Sequence, residues 1–289
     1  MSRDKQVNTI IYRYFQSHWY ETLRDAEFLA SPPTKFNDLF DCAASTTGHV
    51  PDVEIDKYLK EHDWVNAFSR IARERGLPTV DITLAALNSG NVNRDVLNID
   101  ERLSRTLKTR KTLSKVWRIV CFSESSTDVV ERRLTEKRMW KRYADKDRGV
   151  RIGADFSFCT LDPKSGMLGR VKYSEQGTVV DLNTVTLEPN ILFNYLKVVL
   201  TKKRLWERER EIRLVTTPTF CNIRYVAGTN EEQCFWRFNR EIIREVCLGA
   251  RFPKNQIKGL VKMVRNRYPS DVKICQAVKS MDNYRYEEI

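Results

Sequence analysis

The sequence has no apolar run near the ~20 residues needed to cross a bilayer. Its first residues, Met1 to Val7, are polar, so no signal peptide is expected. Histidine is scarce: His18, His49 and His62 all lie in the N-terminal part, which leaves a Ser-His-Asp mechanism little support. There is no GxGxxG and no phosphate-loop lysine motif, which disfavours the nucleotide folds that depend on them. The seven cysteines are odd in number, widely spaced and free of any CxxC pair. That pattern argues against a zinc site or a disulfide framework, and no metal is expected. Buried free thiols in a reducing cytoplasm fit it better.

What the chain has in plenty is charge. Lys+Arg number 50 against 38 Asp+Glu in 289 residues, a formal net charge of +12. Such a balance favours an anionic partner, either nucleic acid or the phosphates of a cofactor. The cations are densest over Arg102 to Arg118 and over Arg251 to Arg267. Each run reads as a solvated face or as a contact to nucleic acid.

The hydrophobic content, 41%, is enough for a sizeable core, and one domain over 1–289 is expected. Thr9 to Phe15 is β-branched and aromatic, a strand interrupted by one cation, Arg13. On a half-exposed strand Arg13 would meet solvent; facing a cleft it would hold an anion. Trp19 to Leu23 reads as a short helix and Glu27 to Ala30 as a strand. Pro32 and Pro33 then open a loop reaching Asp41. There Phe36 and Phe40 would pin the polar tip Asn37-Asp38. Further strands are expected over Val116 to Glu124, Arg148 to Ala154, Val171 to Tyr173, Ile242 to Leu248 and Asp271 to Val278. Thr127 to Tyr143 reads as a helix, with Gly149 as its C-terminal glycine. Ile257, Leu260, Val261 and Val264 mark a second, amphipathic helix. The region from about 45 to 115 reads as a helical insertion. The whole is α+β, with a mixed, mainly antiparallel sheet and surrounding helices.

Lys203-Arg204-Leu205-Trp206-Glu207-Arg208-Glu209-Arg210-Glu211-Ile212-Arg213-Leu214-Val215 runs from a helix end into a strand. On extended chain Glu209 and Glu211 share one face, and Arg210 and Ile212 the other. Two carboxylates so placed repel unless a cation or polar ligand sits between them. The plainer alternative is a solvated helix end with weak surface ion pairs. A nuclease reading would gather Asn37, Asp38, Asp41, Glu209 and Glu211 around magnesium.

Taken in order, several strings resemble a bacterial family of unknown function marked by FNDPFD, CFSE, MWxxYA and WxxExExR. They are Tyr12-Arg13-Tyr14, Phe36-Asn37-Asp38-Leu39-Phe40-Asp41, Cys121-Phe122-Ser123-Glu124, Met139-Trp140-Lys141-Arg142-Tyr143-Ala144-Asp145, Gly149-Val150-Arg151-Ile152-Gly153 and Trp206 to Arg213. Leu39 stands where the family has proline. More distantly, the layout is similar to the ADP-ribosyltransferase superfamily. That resemblance implies NAD as substrate, with Arg13 at its phosphates or ribose and Ser123 ordering the nicotinamide ribose. Tyr12, Asn37, Asp38, Trp140 and Tyr143 would complete the NAD site. Glu211, or Glu209, would bind the ribose hydroxyl and stabilise an oxocarbenium-like transition state. A toxin or phage-defence role accompanies that reading. Its competitors are a nucleic-acid-directed nuclease and a nucleic-acid-binding protein without NAD chemistry.

Overall fold

A computed structural model describes residues 10–16, 19–36, 41–42, 44–47, 113–115, 117–157, 166–175, 178–181, 196–226, 228–229, 231–280 and 283–289. The chain opens with β1 (Ile11–Phe15), α1 (Trp19–Asp25), β2 (Glu27–Ala30) and β3 (Ala44–Thr47). It continues through β4 (Arg118–Glu124), α2 (Val129–Tyr143), β5 (Val150–Ala154), β6 (Met167–Arg170), β7 (Lys172–Ser174) and β8 (Thr178–Asp181). Then follow β9 (Thr201–Lys203), β10 (Glu211–Thr216), β11 (Cys221–Tyr225), β12 (Glu232–Arg237) and β13 (Ile243–Leu248). The last elements are α3 (Lys254–Arg267), β14 (Lys273–Ser280) and β15 (Asn283–Glu288).

Eight strands form one sheet in the order β15-β14-β13-β5-β1-β4-β10-β6. Only β13 and β14 run parallel, and α3 makes the crossover that a parallel pair requires. A second, antiparallel sheet has the order β11-β12-β2, and β3-β8 and β7-β9 are small parallel pairs. The fold is thus mixed α/β with a mainly antiparallel sheet and few helices. No helix among the described residues is long and apolar enough to cross a membrane.

The two faces of the large sheet differ in chemistry. On one, Ile11, Phe15, Phe122, Ile152, Leu214 and Ile274 join Leu23 of α1, Leu260 of α3 and Phe28 and Trp236 of the small sheet. Phe28 is the hub: it stacks on Phe238 at 4.3 Å and meets Phe122 edge-on at 5.3 Å. Truncating so enclosed an aromatic costs about 3–5 kcal/mol. The other face is covered by α2, whose Met139 and Trp140 pack on Tyr14, Cys247 and Cys275. Directly opposed residues of paired strands share a face. Tyr12 opposes Ser123, and Ser123 opposes Glu211. Tyr12, Ser123 and Glu211 therefore belong to the α2 face, and Arg213, two residues beyond Glu211, joins them.

Two local expectations change. Asp128 caps α2 by accepting from the Glu131 amide at 2.8 Å, but the helix does not end at a glycine. Asp145, Lys146 and Asp147 take the positive φ values that turn the chain. Gly149 is required for another reason: a Cβ there would run into the carbonyl oxygen of Phe15. The expected helical insertion lies outside the described residues, apart from its ends. There Ala44–Thr47 is a strand parallel to β8 rather than helix, while residues 113–115 are helical.

Candidate functional site

Apart from a register shift between Ile243 and Glu245 where β13 meets β5, the large sheet is broken at one seam. β1 pairs with β5 over all five of its residues, and β4 pairs with β10 from Arg118 to Ser123. Between β1 and β4 only Ile11↔Glu124 and Tyr12↔Ser123 are paired. Beyond them the strands part, and Ser31 bridges to Ile119 instead, through two 2.9 Å backbone bonds. A cavity of about 290 Å³ is lined by residues of both lips. β1 contributes Tyr12, Arg13 and Tyr14, and β4 contributes Ile119, Cys121 and Phe122. Phe36, Met139, Tyr143 and Trp206 extend the aromatic and apolar wall, and Lys35 and Arg142 add cations. Asp41, Lys202, Glu209 and Glu211 supply the remaining charge.

The carboxylates gather round two buried cations. Lys202 Nζ donates to Glu209 Oε2 at 2.9 Å and to Glu211 Oε2 at 2.8 Å, and lies 3.6 Å from Asp41. Arg213 Nε donates to Glu211 Oε1 at 2.7 Å. Its Nη2 donates to both oxygens of Asp41, at 2.7 and 2.8 Å. Its Nη1 donates to the Val199 carbonyl and to Cys42 Sγ. Phe36, half-buried rather than anchored in the core, lies over the Arg213 guanidinium at 5.3 Å. Burial works to raise the Glu211 pKa, but Arg213 and Lys202 outweigh it and hold the carboxyl well below its usual range. Burial likewise opposes the charge on Lys202, yet Glu211, Asp41 and Glu209 push its pKa above the ordinary lysine value.

Local backbone structure sets up this convergence. Glu209 ends a 3-10 segment, Arg204–Glu209, instead of lying on extended chain. Arg210 then adopts φ 45°, a left-handed conformation, which re-aims the chain into β10. The two acids do not alternate along one strand, as extended chain would require. They meet on Lys202 all the same. The segment is held by Ser123 Oγ donating to the Glu209 carbonyl at 2.7 Å and Thr135 Oγ1 donating to the Arg208 carbonyl at 2.8 Å. The surface reading holds for Arg204 to Arg208, where exposed Arg204 pairs with Glu207 at 3.3 Å, and fails for Glu209, Glu211 and Arg213, which are buried.

Of the residues singled out from the sequence, Tyr12, Arg13, Tyr143, Glu209 and Glu211 line one cavity. Tyr143 donates its hydroxyl to Glu209 Oε1 at 2.8 Å, and burial, reinforced by Glu209, raises its pKa. Ser123 stands beside the cavity with its hydroxyl already committed to Glu209. Trp140 is sealed in the core, its Nε1 donating to the Tyr286 hydroxyl at 3.2 Å. Asn37 and Asp38 lie outside the described residues, as does most of the basic run from Arg102. Arg13 donates from Nη2 to the Leu29 carbonyl at 2.8 Å, and its guanidinium lies 5.3 and 5.5 Å from Phe15 and Phe28. Its Nη1 is buried with no hydrogen-bond partner among the described residues. Burial lowers its pKa to about 10.

Sequence reading missed Lys202 and Arg213. A signal for Arg213 existed: Glu211-x-Arg213 has the strand period that puts both on one face. Lys202, one of several lysines and arginines before Trp206, carried none. The place between Glu209 and Glu211 where a divalent ion would sit is taken by Lys202 Nζ, and Asp41 is engaged on both oxygens by Arg213. Elsewhere the ligand atoms of Glu245, Cys247 and Cys275 lie within 4.8 Å of one another, but Arg151 already donates twice to Glu245 Oε1. What the cavity offers is two unlike ends. Three buried carboxylates face the buried cations Lys202 and Arg213 on the β10 side, with Arg142 and Arg138 3.5 and 3.9 Å from Glu209, and an incompletely paired arginine stands on the β1 side. Comparison of the chain with protein-family models, with curated proteins and with solved structures finds no match.

Proposed function

We propose that the cavity binds NAD as a substrate and that the chain transfers or hydrolyses its ADP-ribosyl group. The observation that carries this reading is the division of charge along the cavity wall: the ion-paired carboxylates Asp41, Glu209 and Glu211 on the β10 side, and Arg13, with no carboxylate partner among the described residues, on the β1 side. NAD has the complementary polarity, a cationic nicotinamide ribose and an anionic diphosphate. The parting of β1 from β4 supports an ADP-ribosyltransferase-like core. In the reaction the ribose C1′–nitrogen bond breaks and nicotinamide leaves with the bonding electrons. An acceptor oxygen then bonds to C1′ and loses its proton. Positive charge builds on the ribose between those events, and a fixed, ionised carboxylate stabilises it most at that moment. Glu211, held ionised by Arg213 and Lys202, takes that role. Glu209, nearer Trp206 and Arg142, orients the acceptor. Tyr12, Tyr14 and Trp206 offer rings for the two bases.

The test is nicotinamide release from NAD by the purified chain, with water, protein and nucleic acid offered as acceptors. Glu211→Gln, matched for folded fraction, should lose about 100-fold or more in rate. Glu209→Gln should spare hydrolysis and weaken transfer. Wild-type protein that releases no nicotinamide under any of these conditions overturns the reading.

A further inference from the structure

A second feature lies on the far side of the molecule from α2, on the outer surface of α3. That helix has the sequence Lys-Asn-Gln-Ile-Lys-Gly-Leu-Val-Lys-Met-Val-Arg-Asn-Arg, without a single acid. Its apolar residues Leu260, Met263 and Val264 are spent on the core. Lys254, Lys258 and Lys262 are exposed, four residues apart, and make no ion pair among the described residues. On an α-helix that spacing sets successive cations about 6 Å apart along one line. Like charges at i, i+4 repel, so the row works against the helix that carries it. An anionic partner would remove that repulsion.

At the helix C-terminus a second group of cations lies off the line of the row, since Arg267 is five residues past Lys262 and so about 140° round the helix. Arg267 Nη1 and Arg240 Nη2 both donate to the Arg24 carbonyl, at 2.8 and 3.2 Å. Beside them is a hollow of about 320 Å³ lined by Arg237, Asn239 and Arg240 along with Asp25. Arg240 Nε is buried there without a partner among the described residues. We infer that the lysine row of α3 forms a track for the phosphate backbone of a nucleic acid. The regular spacing of single charges suits a polymer of evenly spaced phosphates. An anionic membrane is the poorer match, because the apolar side of α3 is buried and cannot insert. The contacts available are to phosphate, so binding should be insensitive to base sequence.

The experiment measures binding of the full chain to a short fluorescein-labelled DNA duplex, its single strand and the matching RNA across a salt series. Lys254→Gln, Lys258→Gln and Lys262→Gln, combined, alter only exposed side chains. They should lower affinity at least tenfold at low salt and reduce the slope of log K against log salt by about 3. The matched control neutralises Arg132, Arg133 and Lys141 on the exposed side of α2, an equal change in net charge, and should bind like wild type. Three results overturn the inference: no binding by wild type, an equal loss in the control, or preference for phosphatidylserine vesicles over every nucleic acid. Nicotinamide release is unaffected by whichever result is found, so this surface and the cavity are tested independently.

Discussion

Two buried arginines on the α2 face of the large sheet make an instructive pair. Arg151 of β5 donates to Glu245 at 2.7 Å, to the Tyr286 hydroxyl at 2.7 Å and to Glu136 at 3.4 Å. The rings of Tyr286 and Tyr12 lie 4.0 and 4.6 Å from its guanidinium. Arg213 of β10 has equally short bonds, to Asp41 and Glu211. The contrast is in the acids. Glu136 and Glu245 keep side-chain exposures of 16% and 15%, so water shares their charge. Asp41, Glu209 and Glu211 are exposed by only 3–5%. The Arg151 cluster is closed by aromatic rings and can disperse its excess charge. The Arg213 cluster holds its acids drier, with Arg142 reaching only Glu209, and it is the one that borders a cavity. Charge held in a low-dielectric wall is costly to fold and strong in its effect on a ligand.

The largest expected effect breaks that contrast directly. Arg213→Met leaves Asp41 and Glu211 buried with Lys202 as their only close cation among the described residues, and should cost about 3–5 kcal/mol in urea denaturation. Arg151→Met loses stacking and hydrogen bonds but leaves acids that reach water, and should cost about 2 kcal/mol. Equal losses would mean that exposure of the acids does not set the cost.

Much of this contrast was within reach of the sequence. The strand that holds Arg13, the helix that holds Trp140 and Tyr143, and the strand that begins at Glu211 are all strongly apolar or well capped. The need for a cation between Glu209 and Glu211 follows from repulsion alone. Which cation answers it depends on β9 being brought beside β7 and the 3-10 segment, a long-range pairing with no local signature. Seven strands escaped notice, β3, β6, β8, β9, β11, β12 and β15, four of them for related reasons. β6 is short and contains glycine, β15 is an edge strand rich in charge, and β11 and β12 are short runs bounded by polar and charged residues. The parting of β1 from β4 is invisible in either strand, because it is a property of their register.

A second prediction sharpens the contrast on the chemical side. If only the cavity cluster is functional, Glu211→Gln removes about 100-fold or more of nicotinamide release, whereas Glu245→Gln leaves it at the wild-type level. Parallel losses in folded, purified variants would indicate that both act through stability alone.

The two clusters should also answer pH with opposite signs. Burial raises the Glu211 pKa, but Arg213 and Lys202 more than reverse it, so the folded value lies below the unfolded one of about 4.3. Its contribution is complete above that unfolded value and disappears as pH falls toward the folded one. Glu136 is the reverse case. Burial outweighs Arg151 and holds its pKa above the unfolded value, so its contribution declines as pH rises through that range. Chemical denaturation across pH should show Glu211→Gln flattening the acid limb below about pH 4. Glu136→Gln should instead relieve a penalty near neutral pH. An unchanged acid limb in Glu211→Gln would mean that the carboxyl is not held ionised by its neighbours.

The smallest effect concerns Arg13, which belongs to neither cluster. It has no carboxylate partner among the described residues, one bond to a carbonyl, and two phenylalanine rings beside it. Burial lowers its pKa to about 10, the mark of a cation that the fold does not fully compensate. Methionine has similar reach and no charge to desolvate. Arg13→Met gives up the Leu29 bond and the ring contacts but also removes the desolvation penalty. Stability in urea should therefore stay within about 1 kcal/mol of wild type. Ligand binding should not be so tolerant. A charge-assisted bond from Nη1 to a diphosphate oxygen is worth about 1.5–3 kcal/mol, so NAD affinity by calorimetry should fall about tenfold or more. A loss of several kcal/mol in stability would make Arg13 a structural cation. Unchanged NAD affinity in a stable Met variant would remove Arg13 from the ligand site and leave its buried charge unaccounted for.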